Sequence, residues 1–287
     1  CTGGTTNEAG DDASGADTSC SDACQVALGV SCAVFAEAYV KAPSPAVSDS
    51  FGRAVALDGD TLVVGAPWED SQAGGAQGNA SSFNSGTVYV FVRNGSAWSQ
   101  QALLKSVTIA SVTEFGGAVA ISGDTLAVGG GTGRVEVFTR SGSTWSRQAQ
   151  LVGQFSEAVD IFGSAVALEG DTLVIGAERE GSAAASVDGD QTNNDAPTSG
   201  AAYVFVRNGI TWTQQAYLKA TNPGSGDNFG SAVAISGDTV VVGAPLLPGT
   251  GSAGPTATSV SSTPPKATRR ISRRVPAGSA ICRRCES

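Results

Sequence analysis

The pair Phe-Gly recurs at Phe51, Phe115, Phe162 and Phe229, each time opening the same run, Phe-Gly-x-Ala-Val-Ala-(Leu/Ile)-x-Gly-Asp-Thr-(Leu/Val). Nine residues after each Phe stands an Asp (Asp60, Asp124, Asp171, Asp238), and five further on a Gly (Gly65, Gly129, Gly176, Gly243). A second block reads Val-Tyr-Val-Phe-Val-Arg-Asn-Gly in its best copy, with Phe91, Phe138 and Phe205 each seven residues before Trp98, Trp145 and Trp212. Such a chain must build the same short unit several times and stack the copies, because one unit alone cannot bury its apolar face.

One interval breaks the constancy. From the Gly of the first block to the Phe of the second, the separation is 26 residues in the first repeat, 9 in the second and 29 in the third. A constant scaffold with one variable loop is the pattern expected where loops carry specificity.

Within a repeat the pattern predicts four short strands. Ala54 to Leu57 alternates small and large apolar residues, whereas Leu62-Val63-Val64 is apolar throughout and suits a strand covered on both faces. Asp58-Gly59-Asp60 joins them as a tight hairpin, and Asn94-Gly95 and Asn208-Gly209 predict type I′ turns between the third and fourth strands. Tyr39 keeps the twelve-residue distance to Phe51 that Leu103, Gln150 and Tyr217 keep to the next Phe, so residues 38–42 are expected to be the last strand of a preceding blade. The fold class expected is therefore all-β: a β-propeller of four-stranded antiparallel blades, incomplete, with about three full blades plus part-blades.

The residues Phe51-Gly52 through Gly65-Ala66-Pro67, and Phe229-Gly230 through Gly243-Ala244-Pro245, resemble the FG-GAP repeats of integrin-type propellers, over roughly residues 38–245. The resemblance implies a surface domain used for adhesion or ligand binding rather than catalysis. Integrin-type repeats also carry an Asp- and Asn-rich calcium loop between their first two strands. Asp58-Gly59-Asp60 leaves no room for the oxygen ligands such a loop needs, so calcium is not carried over to these turns.

Other chemistry is narrowed by what is missing. With no histidine, the Ser/His/Asp and Cys/His nucleophile systems and His-containing zinc sites are ruled out. Gly129-Gly130-Gly131-Thr132-Gly133 leads into a strand rather than a helix and so lacks a phosphate-binding dipole. The carboxylate pairs Glu69/Asp70 and Glu178/Glu180 open the variable loops and read as exposed loop charges. Trp98, Trp145 and Trp212 hold one position in every repeat and read as packing residues. Trp68, by contrast, has no counterpart and is the best contact candidate, so the expected ligand-binding set is Trp68, Glu69 and Asp70. No cofactor is expected. In the third repeat's long loop a solvated polar segment is the favoured reading, with calcium held by Asp188, Asp190, Asn193 and Asp195 as the alternative.

Charge divides the chain. Residues 1–248 carry ten Lys and Arg against twenty-five Asp and Glu, whereas residues 249–287 carry seven basic residues and the single acid Glu286. An acidic body argues against nucleic acid or an anionic membrane as partner. Residues 1–33 read as a flexible Gly/Ser/Asp tether, residues 34–248 as the repeats and residues 249–287 as a basic disordered tail, with out-of-frame translation one reading of that tail and a basic binding segment the other. The start at Cys1 resembles a mature bacterial lipoprotein, which would place a lipid on Cys1, the only membrane contact expected, and the protein at the cell envelope, in the outer membrane or outside the cell. All six cysteines lie outside the repeats, open to a disulfide in the tether or, less favoured, to a metal. The function expected is a non-catalytic surface module binding a protein or polysaccharide, with an accessory or degenerate part of a secreted hydrolase as the alternative. Unpaired blade edges are expected to promote self-association.

Overall fold

The computed structural model describes residues 38–70, 83–107, 113–131, 133–245 and 258–261. The expected tether with Cys1, and the tail apart from 258–261, lie outside the described residues.

Three complete blades follow one another. The first contains β1 (Ala54–Asp58), β2 (Thr61–Ala66), β3 (Thr87–Asn94) and β4 (Ala97–Leu104). The second contains β5 (Ala118–Ser122), β6 (Thr125–Gly129), β7 (Val135–Ser141) and β8 (Thr144–Leu151); the third contains β9 (Phe162–Glu169), β10 (Thr172–Ala177), β11 (Ala201–Asn208) and β12 (Thr211–Leu218). Each is a four-stranded antiparallel meander in sequence order. No α-helix occurs among the described residues; a single 3-10 turn, Ala158–Asp160, precedes β9.

The ladders keep register despite the variable loops. Leu62 pairs with Phe91, Leu126 with Phe138 and Leu173 with Phe205, so the whole length difference is looped out between the second and third strands. The turn between the third and fourth strands departs from expectation. Asn94 pairs with Ala97, which leaves Gly95 and Ser96 as the two central residues, and of these only Gly95 has a positive φ, at 62°. Positive φ at the first central position alone is the type II′ pattern, not type I′. Asn closes the strand instead of starting the turn.

Blades join through backbone. The first strands β1, β5 and β9, with β13 (Ala232–Ser236) beyond them, lie side by side in that order. A Cβ placed on Gly65, Gly129 or Gly176 would stand 2.0, 2.2 or 1.9 Å from the carbonyl oxygen of Gly116, Gly163 or Gly230 in the following blade. That approach explains why both the Gly of the Phe-Gly pair and the Gly nine residues before Phe138 are glycine: no side chain fits between the two backbones.

Side chains then seal each joint. The core lies between blades: Val63, Val88 and Val90 of the first pack with Phe115, Ile121, Leu126 and Phe138 of the second. Full burial of such a side chain stabilises by about 1.5–3 kcal/mol, so each joint rests mainly on hydrophobic contact. The fourth strand carries a one-residue bulge, at Gln101 and Gln148 in the first two blades. The bulge turns the Gln amide sideways, where its oxygen accepts from the Trp indole of the next blade (Trp145 to Gln101 2.8 Å, Trp212 to Gln148 2.9 Å). The repeated Arg stacks on the Trp of its own hairpin and pairs with the Asp of Gly-Asp-Thr, as Arg140 does with Trp145 and with Asp124 at 2.7 Å. The repeated tryptophans are thus packing residues.

The chain's two ends differ from expectation. Residues 38–42 form no strand, although Val40 and Ala42 pack on the cluster around Tyr89 and Phe91. A last strand needs a third strand to pair with, and none is described before Phe51. At the other end, β13 and β14 (Thr239–Gly243) are joined by β15 (Thr258–Ser261), antiparallel with Val240 opposite Val260. This segment takes the place of a third strand, a departure from the disordered tail expected for residues 249–287. Thr-Ser-Val-Ser is rich enough in β-branched residues to pair with the free edge of β14. The ring is open: Val55 and Leu57 on β1 are both 63% exposed.

Candidate functional site

The long connections after β2 and β10 leave the blade at the same point. In the first blade the chain passes Gly65-Ala66-Pro67-Trp68-Glu69; in the third it passes Gly176-Ala177-Glu178-Arg179-Glu180. Each Glu stands four residues after its Gly, and each is buried, Glu69 at 1% and Glu180 at 4% exposure. This corrects the expectation that Glu69 and Glu180 are exposed loop charges.

The reason is a lysine seven residues after the repeated Trp. Lys105 Nζ donates to Glu69 Oε2 at 2.6 Å, and Lys219 Nζ donates to Glu180 Oε2 at 2.5 Å. Both lysines also donate to a serine at the loop's far end, Ser85 at 3.2 Å and Ser199 at 2.7 Å. Backbone completes the same pattern in both blades. The Glu N–H donates to the Ala66 or Ala177 carbonyl, and the Glu carbonyl accepts from Gly86 or Gly200. The pair therefore ties the entry of the loop, its exit and the end of the fourth strand into one knot, with Thr87 donating to Glu69 in the first blade.

Burial dominates the electrostatics of this knot. Desolvation pushes Lys105 and Lys219 below the usual lysine range, opposed by the hydrogen bond and charge of the paired Glu. Tyr217, packed beside the third-blade pair with its hydroxyl 2.6 Å from Ser182 Oγ, is pushed up chiefly by burial. Tyr89, near Glu69, is pushed up to about 12, by burial first and by the carboxylate second.

The second blade has neither the pair nor the loop. Gly133 and Val152 stand at the Glu and Lys positions, and Glu136 replaces the Tyr of the other two blades. Glu136 accepts from Ser106 at 2.5 Å beside a cavity of about 10 Å³ that Arg134 also lines. That volume suits one water molecule rather than a substrate.

Above the knots, the third-blade loop is held by its own polar groups. Asp188 Oδ1 accepts from the Tyr217 N–H at 2.8 Å, which clips the loop to β12. Asp190 Oδ1 accepts from the Thr192 N–H and hydroxyl, donors that hold the exposed Asp190 carboxyl below the usual range. Asn193 Oδ1 accepts from the Ala183 N–H at 2.9 Å, and Asp195 donates its own N–H to the same oxygen at 3.3 Å. These side chains are spread along the loop. Among the described residues no group of three His, Cys, Asp or Glu is placed to hold a metal ion.

The remaining candidates on the first-blade loop are brought to its mouth. Trp68 is 44% exposed, and Asp70 accepts the Asn84 N–H at 2.7 Å across the loop. Residues 71–82 lie outside the described residues. The sequence signal for the buried pairs is the offset shared by the first and third repeats, Glu four residues after its Gly and Lys seven after its Trp, which does not by itself show that the two side chains meet.

The sequence profile of the FG-GAP repeat matches residues 36–91, 145–205 and 212–257, more than half of the chain. The chain belongs to the FG-GAP repeat family. FG-GAP repeats form β-propeller modules, and the meanders described above are its blades. Among solved structures, the chain is similar to the computationally designed Ika4 protein, at 14% identity and a TM-score of 0.41, over 69% of this chain and 88% of that one. It is also similar to Sqt1 from Chaetomium thermophilum, at 17% identity and a TM-score of 0.42, and to Sqt1 crystallised with the N-terminus of ribosomal protein L10, at 18% and 0.42. The match covers 69% of this FG-GAP chain but only 42% and 43% of the two Sqt1 chains. No curated protein matches the chain.

Proposed function

We propose that the chain is a non-catalytic binding module that recognises a protein or polysaccharide through the two long loops, residues 67–86 and 178–200. One observation carries this reading. Each blade with a long loop also has a buried Lys–Glu pair at the loop's root, and the blade with the short connection has neither. Because a buried ion pair adds little net stability, its use here is to fix the geometry of the loop.

What the loops present fits polar recognition. Trp68 offers a half-exposed aromatic face, while Val187, Asp188, Asp190 and Asp195 are exposed on the third-blade loop. An exposed aromatic face on one loop and exposed carboxylates on the other each suit hydroxyl-rich sugars or a basic protein surface, and the carboxylates repel anionic polymers.

Exchange of the 178–200 loop for the short connection 130–134, combined with Lys219→Val so that no buried lysine loses its partners and the blade matches Val152 of the second, tests the reading. The exchanged protein is expected to fold but to lose binding on an array of neutral and cationic glycans and immobilised matrix proteins. Binding that survives exchange of both loops, or no binding by the intact chain to any member of the array, contradicts it.

A further inference from the structure

The joint between consecutive blades is built three times within the chain, from the same parts each time. A glycine at the end of the second strand receives the Phe-Gly carbonyl of the next blade. The Val and Leu or Ile of the next first strand pack on the Ala face of the one before. The N–H of the glycine in the next hairpin donates to a side chain of the previous hairpin: Gly123 to Asp58 at 2.5 Å, Gly170 to Ser122 at 3.0 Å and Gly237 to Glu169 at 2.7 Å. At the first two of these joints the repeated Arg also reaches back to a Thr, Arg140 to Thr61 at 2.9 Å and Arg207 to Thr125 at 2.8 Å; the described residues of the last unit contain no Arg.

Every one of these parts is present, and half-used, at the two open ends. On the first blade, Val55 and Leu57 are 63% exposed where their equivalents Val119 and Ile121 are 9% and 8% exposed. Gly52, with φ 91°, has open space around it, whereas a Cβ on its equivalent Gly230 would stand 2.1 Å from the Ala201 carbonyl. On the last unit, Ala232, Ala234, Ser236 and Thr239 are all exposed. Val241 is 40% exposed where its equivalent Val63 is fully buried, and a Cβ on Gly243 would meet nothing of a following blade. The head thus carries the half of the joint that a following blade contributes, and the tail carries the half that a preceding blade contributes.

We propose that the two ends dock on each other between copies: β13–β14 of one chain receives β1 of a second, and the second returns the same contact to the first. Val55 and Leu57 then cover Ala232, Ala234 and Val241, Ser236 Oγ accepts the Gly59 N–H, and Gly243 meets the Gly52 carbonyl. The contact is head-to-tail, so it must either close or run on as a filament. Two copies bring eight first strands into one ring, within the four to about eight blades at which propellers close. The pair of chains becomes a closed ring with the recognition loops repeated twice.

Sedimentation equilibrium of the intact chain tests this. The expected mass is twice 28.5 kDa at micromolar concentration. Leu57→Asp on the head and Val241→Asp on the tail each place an unpaired carboxylate in the joint and are expected to weaken it about a hundredfold or more, leaving monomer. Both positions are exposed in the single chain, so tryptophan fluorescence and unfolding midpoint should stay those of the folded monomer. Mixing the two variants leaves one intact joint, from the Leu57→Asp tail to the Val241→Asp head, and restores a pair of chains. A monomeric wild-type protein, an unlimited filament, or a dimer indifferent to either substitution overturns the proposal; so does failure of the mixture to associate.

Discussion

Lys219→Met removes a side chain that has no exposure in the folded protein and whose three donors are all used, on Glu180 Oε2 at 2.5 Å, Ser199 Oγ at 2.7 Å and the Gly200 carbonyl at 2.8 Å. Met fills most of the volume, so the loss is electrostatic rather than a cavity. Glu180 keeps the Ser182 N–H at 3.0 Å, the weaker Ser182 hydroxyl at 3.4 Å and its interaction with the Tyr217 hydroxyl. Removing one partner of a buried pair destabilises by about 3–5 kcal/mol, a large part of a domain stability of about 5–15 kcal/mol. Urea unfolding followed by tryptophan fluorescence reads the effect, and hydrogen exchange at Gly200 reports whether the loop alone is released. Adding Glu180→Gln should recover most of the loss. A single variant within about 0.5 kcal/mol of wild type, the scatter of ordinary surface substitutions, would show that the pair does not hold the loop.

Gly176→Ala puts a Cβ 1.9 Å from the Gly230 carbonyl oxygen and must push two blades apart, a loss of about 3 kcal/mol or more; Gly209→Ala, with open space but φ 63°, should lose about 1–2 kcal/mol from backbone strain alone. Equal midpoint shifts in denaturant would count against the close backbone joint. Burial raises Asp160 above the usual carboxylate range, so its contribution is fully present below about 3.8 and falls away as pH rises through the raised value. Asp160→Asn should therefore match wild type in acid and be the more stable protein at neutral pH, which unfolding midpoints across that range would check.

The scaffold could be read in the sequence because each part of it is local and repeated. The fixed distances from Phe51 to Asp60 and Gly65 are one hairpin, and the same distances in four copies define the stack. The glycines that meet at the joints hold fixed places in the repeat, one directly after each Phe and one fourteen residues on. Sequence reasoning failed where a residue's surroundings are set by distant chain. Glu69 follows Pro and Trp and precedes Asp, a setting that suggests solvent, yet its lysine lies 36 residues on. The segment 258–261 carries none of the repeat's aromatic residues, and only the free edge of β14 recruits it. The type II′ turns were hidden by a one-residue ambiguity: Asn-Gly serves either as the two turn residues or as strand end plus first turn residue, and the ladder decides. The loop side chains Asp188, Asp190 and Asn193 have a composition suited to an ion, but their hydrogen bonds to loop and strand backbone depend on where the loop folds.

An experimental structure of the chain measures most directly whether successive Phe-Gly units are blades set side by side. It should show residues 54–104, 118–151 and 162–218 superimposing as four-stranded meanders, with Gly65, Gly129 and Gly176 packed against the Phe-Gly carbonyls of the blades that follow. Two flat sheets stacked face to face, or glycines separated by intervening side chains, would contradict it.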